Sequence, residues 1–293
     1  MGTLRSHGRY PYSPLVDRPV YDWPGGKRLA VSVVNNVEVF AFLEGLGSDS
    51  AVLGAPQSQR NYAWRDYGNR VGVWYLFDLL DELEVPAAHN VNSLMFEEHA
   101  RIGERILERG DHFLGHGRTN SERQDGMGED EERALIGEAT EAVVRFSGQH
   151  PRGWLGPWIA ESERTPDLLK EAGYDFVLDW PADDQPFWMS TRAGPLMSVP
   201  YSVELNDSPA LVSRQEGARD FEAMIVDQFD EMLHQSRARP LVFSLVLHTF
   251  IVGQPYRLRA LRRALTHVMN HRDEVWLARP AEIYDHAKEQ PIP

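Results

Sequence analysis

Not one of the 293 residues is a cysteine. That excludes disulfides and thiolate metal sites, and leaves redox chemistry silent between cytosol and periplasm. Cations are scarce: 30 Lys and Arg stand against 44 Asp and Glu, a formal net charge of -14. Phosphate contacts need clustered Lys and Arg, so a nucleic-acid partner is excluded. No apolar run approaches the roughly 20 residues of a membrane span, and the N-terminus lacks the apolar segment of a signal peptide. The expectation is a cytoplasmic protein with neither nucleic-acid nor membrane partners.

What is present is a chain rich enough to bury a large core. Forty-two percent of it is hydrophobic, which suits one large domain as readily as two. Eight Trp and 19 Pro point to ordered loops with aromatic anchors. Residues 1–28 are polar and contain Pro11, Pro14, Pro19 and Pro24, and they read as an extended N-terminal arm. The rest, 29–293, shows no repeat and no composition break, and reads as a single domain.

Strand and helix patterns alternate along it. Residues 29–34, 87–91, 112–115, 176–178, 196–201, 241–247 and 275–277 read as strands and 154–158 as a strand-and-loop, with helices over 71–83, 96–109, 129–146, 165–172, 217–236 and 256–270 and a last one after 277. Residues 41–68 carry no clear period and read as a long loop, ordered at its aromatic end, Tyr62 to Tyr67. The alternation predicts an α/β fold, a mostly parallel sheet or barrel with helices outside.

Several apolar runs end in polar residues, the position where such folds place their chemistry. Asn36 and Glu38 follow the first. His116 and Asn120 follow the third, in His116-Gly117-Arg118-Thr119-Asn120. Trp154 and Trp158 belong to the next, and Trp180, Asp179, Asp183, Asp184 and Gln185 to the one after; Asn206 follows Tyr201, and His248 ends the strongest run. Singly, each has a plain reading: a hydrogen-bonded core histidine, a solvated Asp-Asp turn, a packing tryptophan. Jointly they predict one pocket. An imidazole directly after seven mostly apolar residues is costly to bury unless its polar atoms find partners, which makes His248 the most specific of the set. His89 lies inside a strand; it either faces the site or is satisfied in the core. His267, His271 and the other helix histidines read as ordinary surface residues.

The segments Trp23-Pro24-Gly25-Gly26, Asn35-Asn36-Val37-Glu38, Tyr67-Gly68-Asn69-Arg70-Val71-Gly72-Val73-Trp74, Gly115-His116-Gly117, Gly153-Trp154-Leu155-Gly156-Pro157, Asp183-Asp184-Gln185-Pro186, Val199-Pro200-Tyr201-Ser202 and Leu247-His248 with Ile251-Val252-Gly253-Gln254-Pro255 carry a family likeness. With them the chain, from about Tyr21 to about Tyr284, resembles the polysaccharide-deacetylase-like superfamily, the NodB-type hydrolases or carbohydrate esterase family four. Within it, the chain is most similar to the branch of cofactor-independent allantoinases and cyclic imide hydrolases. The resemblance implies a distorted, incomplete (β/α) barrel of the NodB type and a homo-oligomer, commonly a tetramer. Metal-dependent members have Asp-Asp after the first strand and His-x-x-x-His in the second motif. Here no aspartate stands in Asn35-Asn36-Val37-Glu38, and the second histidine position is Asn120. Either no cofactor is required, or one divalent metal such as zinc is held by a different set: Glu38, His116, His248 and, as a fourth, His89.

The function these readings imply is hydrolysis of a small cyclic amide, an imide or a ureide, at a C–N bond. Glu38 is assigned as general base with a pKa raised by burial, His248 as the acid for the leaving nitrogen, and His116 with Asn36 or Asn120 as donors to the oxyanion. Asp184, Gln185 and Asn206 are assigned to the ring's N–H and C=O edges, and Trp154, Trp158 and Trp180 to its face. The alternatives are allantoinase proper, an N-deacetylase of amino sugars or peptidoglycan fragments, and a non-enzymatic small-molecule-binding barrel.

Overall fold

The first strand sets the frame of the molecule. In the computed structural model, which describes residues 5–47 and 55–293, β1 (Leu29–Val37) is buried along its whole length and pairs with β2 (Ala87–Val91) on one side and β8 (Leu241–His248) on the other. The chain continues from β2 through β3 (His112–Gly115), β4 (Gly153–Trp154), β5 (Phe176–Val177), β6 (Phe187–Met189) and β7 (Leu196–Ser198). The sheet order is β6-β7-β5-β4-β3-β2-β1-β8, parallel except for the β6–β7 pair, and β9 (Trp276–Leu277) joins the start of β1.

The sheet curls until its ends nearly meet. On the outer edge of β8, Val242 N donates to Asp184 O at 2.9 Å and Val246 N to Leu205 O at 3.1 Å. The result is a distorted, incomplete (β/α) barrel. Helices α1 (Gln59–Tyr67), α2 (Val73–Glu82), α3 (Met95–Glu98), α4 (Ala100–Arg109), α5 (Glu129–Ser147), α6 (Thr165–Glu171), α7 (Ala218–Ser236), α8 (Thr249–Val252) and α9 (Pro255–Asn270) connect the strands, and α10 (Pro280–Ala287) ends the chain's regular structure.

Strand alternation divides the core into an inside and an outside. Ala30, Val34, Ala88, Leu114, Leu155, Phe176, Met197, Val199, Tyr201, Val242 and Val246 pack into one buried cluster, the lumen. Val31, Val33, Phe243, Leu245 and Leu247, one residue out of step with these, pack with the helices. Tyr21, Trp23, Ala281, Ile283 and Ala287 belong to the lumen cluster and plug it at the N-terminal ends of the strands. Following the inward set toward the C-terminal ends, the residues become polar: Asn36 and Glu38, Asn90 and Asn92, His116, Tyr201, His248. All of them are buried.

Several segments differ from the sequence reading. The first strand extends to Val37, so Asn35 and Asn36 lie within it. The segment 41–68 is not a loop throughout: α1 covers 59–67, N-capped by Ser58, and runs into a wide helical turn over Gly68–Gly72. Its sequence, Gln59 to Tyr67, is mostly polar, and Tyr62, Ala63, Trp64 and Tyr67 are too few and too clustered to sustain a helical period. The part of that segment at 48–54 lies outside the described residues, as do 1–4 of the arm. The described arm is tied down by ion pairs Arg9–Asp167 and Arg18–Asp183, and Trp23 Nε1 donates to Leu241 O at 3.0 Å. The strand-and-loop read over 154–158 is the two-residue strand Gly153–Trp154 followed by a tight turn.

Candidate active site

Three strand ends meet at Glu38. Its side chain continues the inward parity of β1 just past the strand's last residue. Glu38 Oε1 accepts from Asn120 Nδ2 at 2.7 Å, and lies 3.8 Å from His116 Nε2 and 3.6 Å from His248 Nε2. The surrounding pocket, about 220 Å³, is lined by Asn36, Glu38, Phe40, Arg65, His116, Asn120, Leu155, Trp158, Ile159, Tyr201, Asn206, Ser208, Pro209, Ser213, His248 and Phe250.

Each histidine is fixed through its other nitrogen. His116 Nδ1 sits 2.6 Å from Leu155 O. A carbonyl only accepts, so Nδ1 carries a proton, and in the neutral tautomer this leaves the lone pair at Nε2. That nitrogen is buried and has no protein hydrogen-bond partner among the described residues. His248 Nδ1 faces Asp207 Oδ1 at 2.6 Å, while Asp207 Oδ2 accepts the His248 backbone N–H at 2.9 Å. Both pairs send Nε2 toward the carboxylate of Glu38.

Burial pushes the Glu38 carboxyl up, but His248, His116 and Arg65 outweigh it, and the net direction is below the ordinary 4.5. This corrects the expectation of a raised pKa: the groups around Glu38, His248 foremost, overcome its desolvation. Burial pulls His248 down, but the carboxylates of Asp207 and Glu38 prevail and hold it above the ordinary 6.5. Arg65, on α1, is lowered to about 10 by burial, opposed by Glu38. Its guanidinium stacks 3.8 Å from the Phe40 ring centroid and bonds to Leu46 O at 2.9 Å.

A polar layer lies under the pocket. Asn36 Nδ2 donates to Tyr201 OH and to Leu247 O, both at 3.0 Å, and Asn36 Oδ1 accepts from Asn90 Nδ2 at 2.9 Å. With both amide protons spent, Asn36 is not a donor to an oxyanion. It orients Tyr201, whose hydroxyl accepts from Asn36 Nδ2 and makes a longer bond of its own, 3.4 Å, to Asn36 Oδ1. His116 in its neutral form is likewise an acceptor. Tyr201 and Asn120, whose second amide proton is not taken by Glu38, are hydroxyl and amide donors among the residues lining the pocket.

Trp158 forms the rim. It and Ile159 have positive φ, 67° and 55°, a region costly for side chains of their size. The turn is held from two sides: Trp158 Nε1 donates to Asn120 O at 2.8 Å, and Gly156 N donates to both oxygens of Asp179, at 2.8 and 3.0 Å. Burial raises Asp179 to about 7, and Glu161 beside it is raised well above its ordinary value by burial and by Asp179. Behind the turn, then, two adjacent carboxyls are both shifted toward the protonated form.

Glu38, His116, His248, Asn36, Asn120, Asn206 and Trp158 therefore share one pocket; the other residues assigned to the site stand elsewhere. Trp154 has the outward parity of its strand and is fully buried, with Nε1 on Gln124 Oε1 at 3.1 Å. Trp180 donates to Glu161 Oε2 at 2.8 Å and packs with Tyr10 of the arm. Asp184 and Gln185 lie at the start of β8, the end opposite His248: Asp184 O takes the Val242 amide and Gln185 Nε2 donates to Pro240 O at 2.7 Å. Neither Asp183 nor Asp184 reaches the pocket. Both line a separate cavity of about 500 Å³ at the barrel seam that contains no histidine. His89 points outward, against Phe77, with Nε2 on Asp111 at 3.0 Å and Nδ1 on Asn35 at 3.1 Å. Sequence reading missed Asp207, Tyr201 and Arg65. Asp207 carried a signal, a carboxylate beside Asn206 at the end of a strand-like run; Arg65 carried none.

Glu38, His116 and His248 do not form a ready-made three-ligand group in this arrangement. Ligand atoms from these three do not gather within 4.8 Å of one another, whereas two nitrogens sharing a zinc at ~2.1 Å each lie at most ~4.2 Å apart. Asn120 also occupies Oε1 as a donor, and His89 is turned away.

The family model for polysaccharide deacetylase matches residues 62–177. A probable polysaccharide deacetylase from Pseudomonas aeruginosa PAO1 has a crystal structure that superposes with a TM-score of 0.84 at 27% identity, covering 97% of this chain and 100% of that one. The chain is polysaccharide-deacetylase-like. PuuE allantoinase superposes with a TM-score of 0.85 at 25% identity, covering 99% of both chains. The peptidoglycan deacetylase of Helicobacter pylori is 22% identical over 279 residues, 84% of this chain and 93% of that protein. This NodB-type barrel is a polysaccharide-deacetylase-like hydrolase acting on C–N bonds. No helix among the described residues is long and apolar enough to cross a membrane.

Proposed function

We propose that the chain opens a small cyclic amide, an imide or ureide ring, by metal-independent hydrolysis. The observation that carries this reading is the convergence of two tautomer-fixed Nε2 atoms on one ionised carboxylate, Glu38, in a pocket of about 220 Å³. That volume lies below the range of drug-sized sites, ~300–1,000 Å³, and suits one small ring better than a glycan chain. The structural likeness to PuuE allantoinase specifically favours the ureide within this class.

In the mechanism, water lies between Glu38 Oε1 and His116 Nε2, both acceptors. Glu38 takes its proton as the oxygen bonds to the ring carbonyl carbon. The resulting oxyanion accepts from Tyr201 OH and Asn120 Nδ2; burial raises Tyr201 well above its ordinary pKa, so it stays protonated. His248, with Asp207 behind it, gives its Nε2 proton to the ring nitrogen as the C–N bond breaks. Transfer from Glu38 to His248 across 3.6 Å restores the start. The products are a carboxylate and an open-chain amide or urea. Arg65 and Trp158 flank the ring, and Asn206 stands at its edge.

The experiment is turnover by metal-stripped protein on succinimide, hydantoin and allantoin, with an N-acetylated chitooligosaccharide alongside. Ring opening without metal is the expected result. Deacetylation of the oligosaccharide, with the rings untouched, would replace this reading by the deacetylase one.

A further inference from the structure

Outside the barrel, on the helices covering β8, a second group of histidines comes together. His267 lies in the last turn of α9, His271 just past the helix's end four residues on, and Asp230 faces them from α7. One ligand atom from each falls within 4.8 Å of the other two, the one such group among the described residues. His267 Nε2 is 2.7 Å from Asp230 Oδ1, and His271 Nδ1 is 2.7 Å from Glu274 Oε1. The i, i+4 spacing puts both imidazoles on one helix face. Both rings rest against the fully buried Phe229, at centroid distances of 5.9 and 5.6 Å, which limits their rotation. The two histidine side chains are each 33% exposed and that of Asp230 is 53% exposed, so an ion reaches them without opening the core.

We propose that Asp230, His267 and His271 form a surface site for a divalent transition metal of the zinc type, tying α7 to α9. Two imidazole nitrogens and one carboxylate oxygen are a donor set for zinc, nickel or copper rather than for calcium or magnesium, which favour oxygen ligands throughout. Zinc bonds of ~2.0–2.2 Å set neighbouring donors ~3.3–3.6 Å apart, so the 2.7 Å between His267 and Asp230 needs only a fraction of an ångström of adjustment in exposed side chains. Glu274 holds Nδ1 of His271 and leaves Nε2 for the ion, the carboxylate–histidine–metal arrangement that raises ligand basicity. Water completes the coordination. None of these residues lines the pocket around Glu38. Zinc that accompanies the purified protein therefore reports this helix site and carries no information on catalysis.

The test is calorimetric titration of zinc into tag-free, chelator-stripped full chain, for the wild type, H267Q/H271Q, E274Q and E38Q, with folding checked by circular dichroism. H267Q/H271Q is expected to bind one zinc fewer than the wild type. E274Q, which keeps all three ligands, is expected to keep the stoichiometry and lose about tenfold or more in affinity. E38Q is expected to match the wild type. A folded wild type that binds no zinc, unchanged binding in H267Q/H271Q, or loss of the ion in E38Q would each overturn the assignment. None of these outcomes bears on whether a ring is hydrolysed.

Discussion

Two buried histidine–carboxylate pairs, their histidines on the strands that flank β1, do different things. His248 meets Asp207 at 2.6 Å and His89 meets Asp111 at 3.0 Å, and all four side chains are buried. The difference lies in the nitrogen left over. His89 spends it on Asn35, while Asp111 also takes Arg109 Nε at 2.7 Å, so that every strong partner is used. His248 aims its second nitrogen at Glu38, at 3.6 Å, too long for a direct hydrogen bond and facing the pocket. A saturated buried pair holds strands and helices together. A pair with one unspent nitrogen facing space is equipped to move a proton.

The largest effect should follow from removing what the unspent nitrogens face. On the ring substrate, E38Q is expected to lose ~10²–10⁴ in kcat with little change in melting temperature; full activity would end the assignment of Glu38 as base. Next, the pH–rate profile should be bell-shaped. Glu38 lies below its ordinary 4.5 and His248 above its ordinary 6.5, so the acid limb falls at pH lower than the first value and the alkaline limb at pH higher than the second. A profile with no alkaline limb would remove His248 as the acid. A smaller effect concerns stability. Asp179 is raised from 3.8 to about 7, so the folded state binds a proton the unfolded chain has lost, and stability should fall as pH rises from about 4 to about 7 and then level. D179N should flatten that part of a melting-temperature series. The smallest is W158F, which removes the hydrogen bond to Asn120 O and is expected to cost about 1 kcal/mol, roughly fivefold in kcat/KM.

The strand ends were legible in the sequence because polarity changes abruptly there. Asn36, Glu38, His116 and His248 all stand where an apolar run stops, and the structure brings them to one pocket. Side-chain direction was not legible. In a parallel sheet covered on both faces, inward and outward residues are equally apolar, so alternation leaves no mark. That is why Trp154 was placed in the pocket although Leu155 is the residue that lines it, and why His89 was left undecided. Asp184 and Gln185 were misplaced for another reason: the segment leading into the antiparallel β6 returns to the opposite end of the barrel, a turn of topology that no local pattern records. Arg65 was invisible because α1 has no apolar stripe. Its position depends on packing against Phe40 and the turn over Gly68–Gly72, where Gly72 and Gly253 approach so closely that a Cβ on either would collide with backbone.

The most direct test sets the two pairs against each other: kcat/KM and melting temperature for D207N and D111N, measured side by side on the ring substrate. D207N should lose about 10²-fold or more in kcat/KM, because His248 loses the partner that fixes its tautomer and favours its charge. D111N should lose about 3 kcal/mol of stability, because Arg109 and His89 lose a buried anion, and keep kcat/KM within about twofold in the folded fraction. Equal losses of activity in both, or an active D207N, would contradict the claim that the unspent nitrogen of His248 marks the working site.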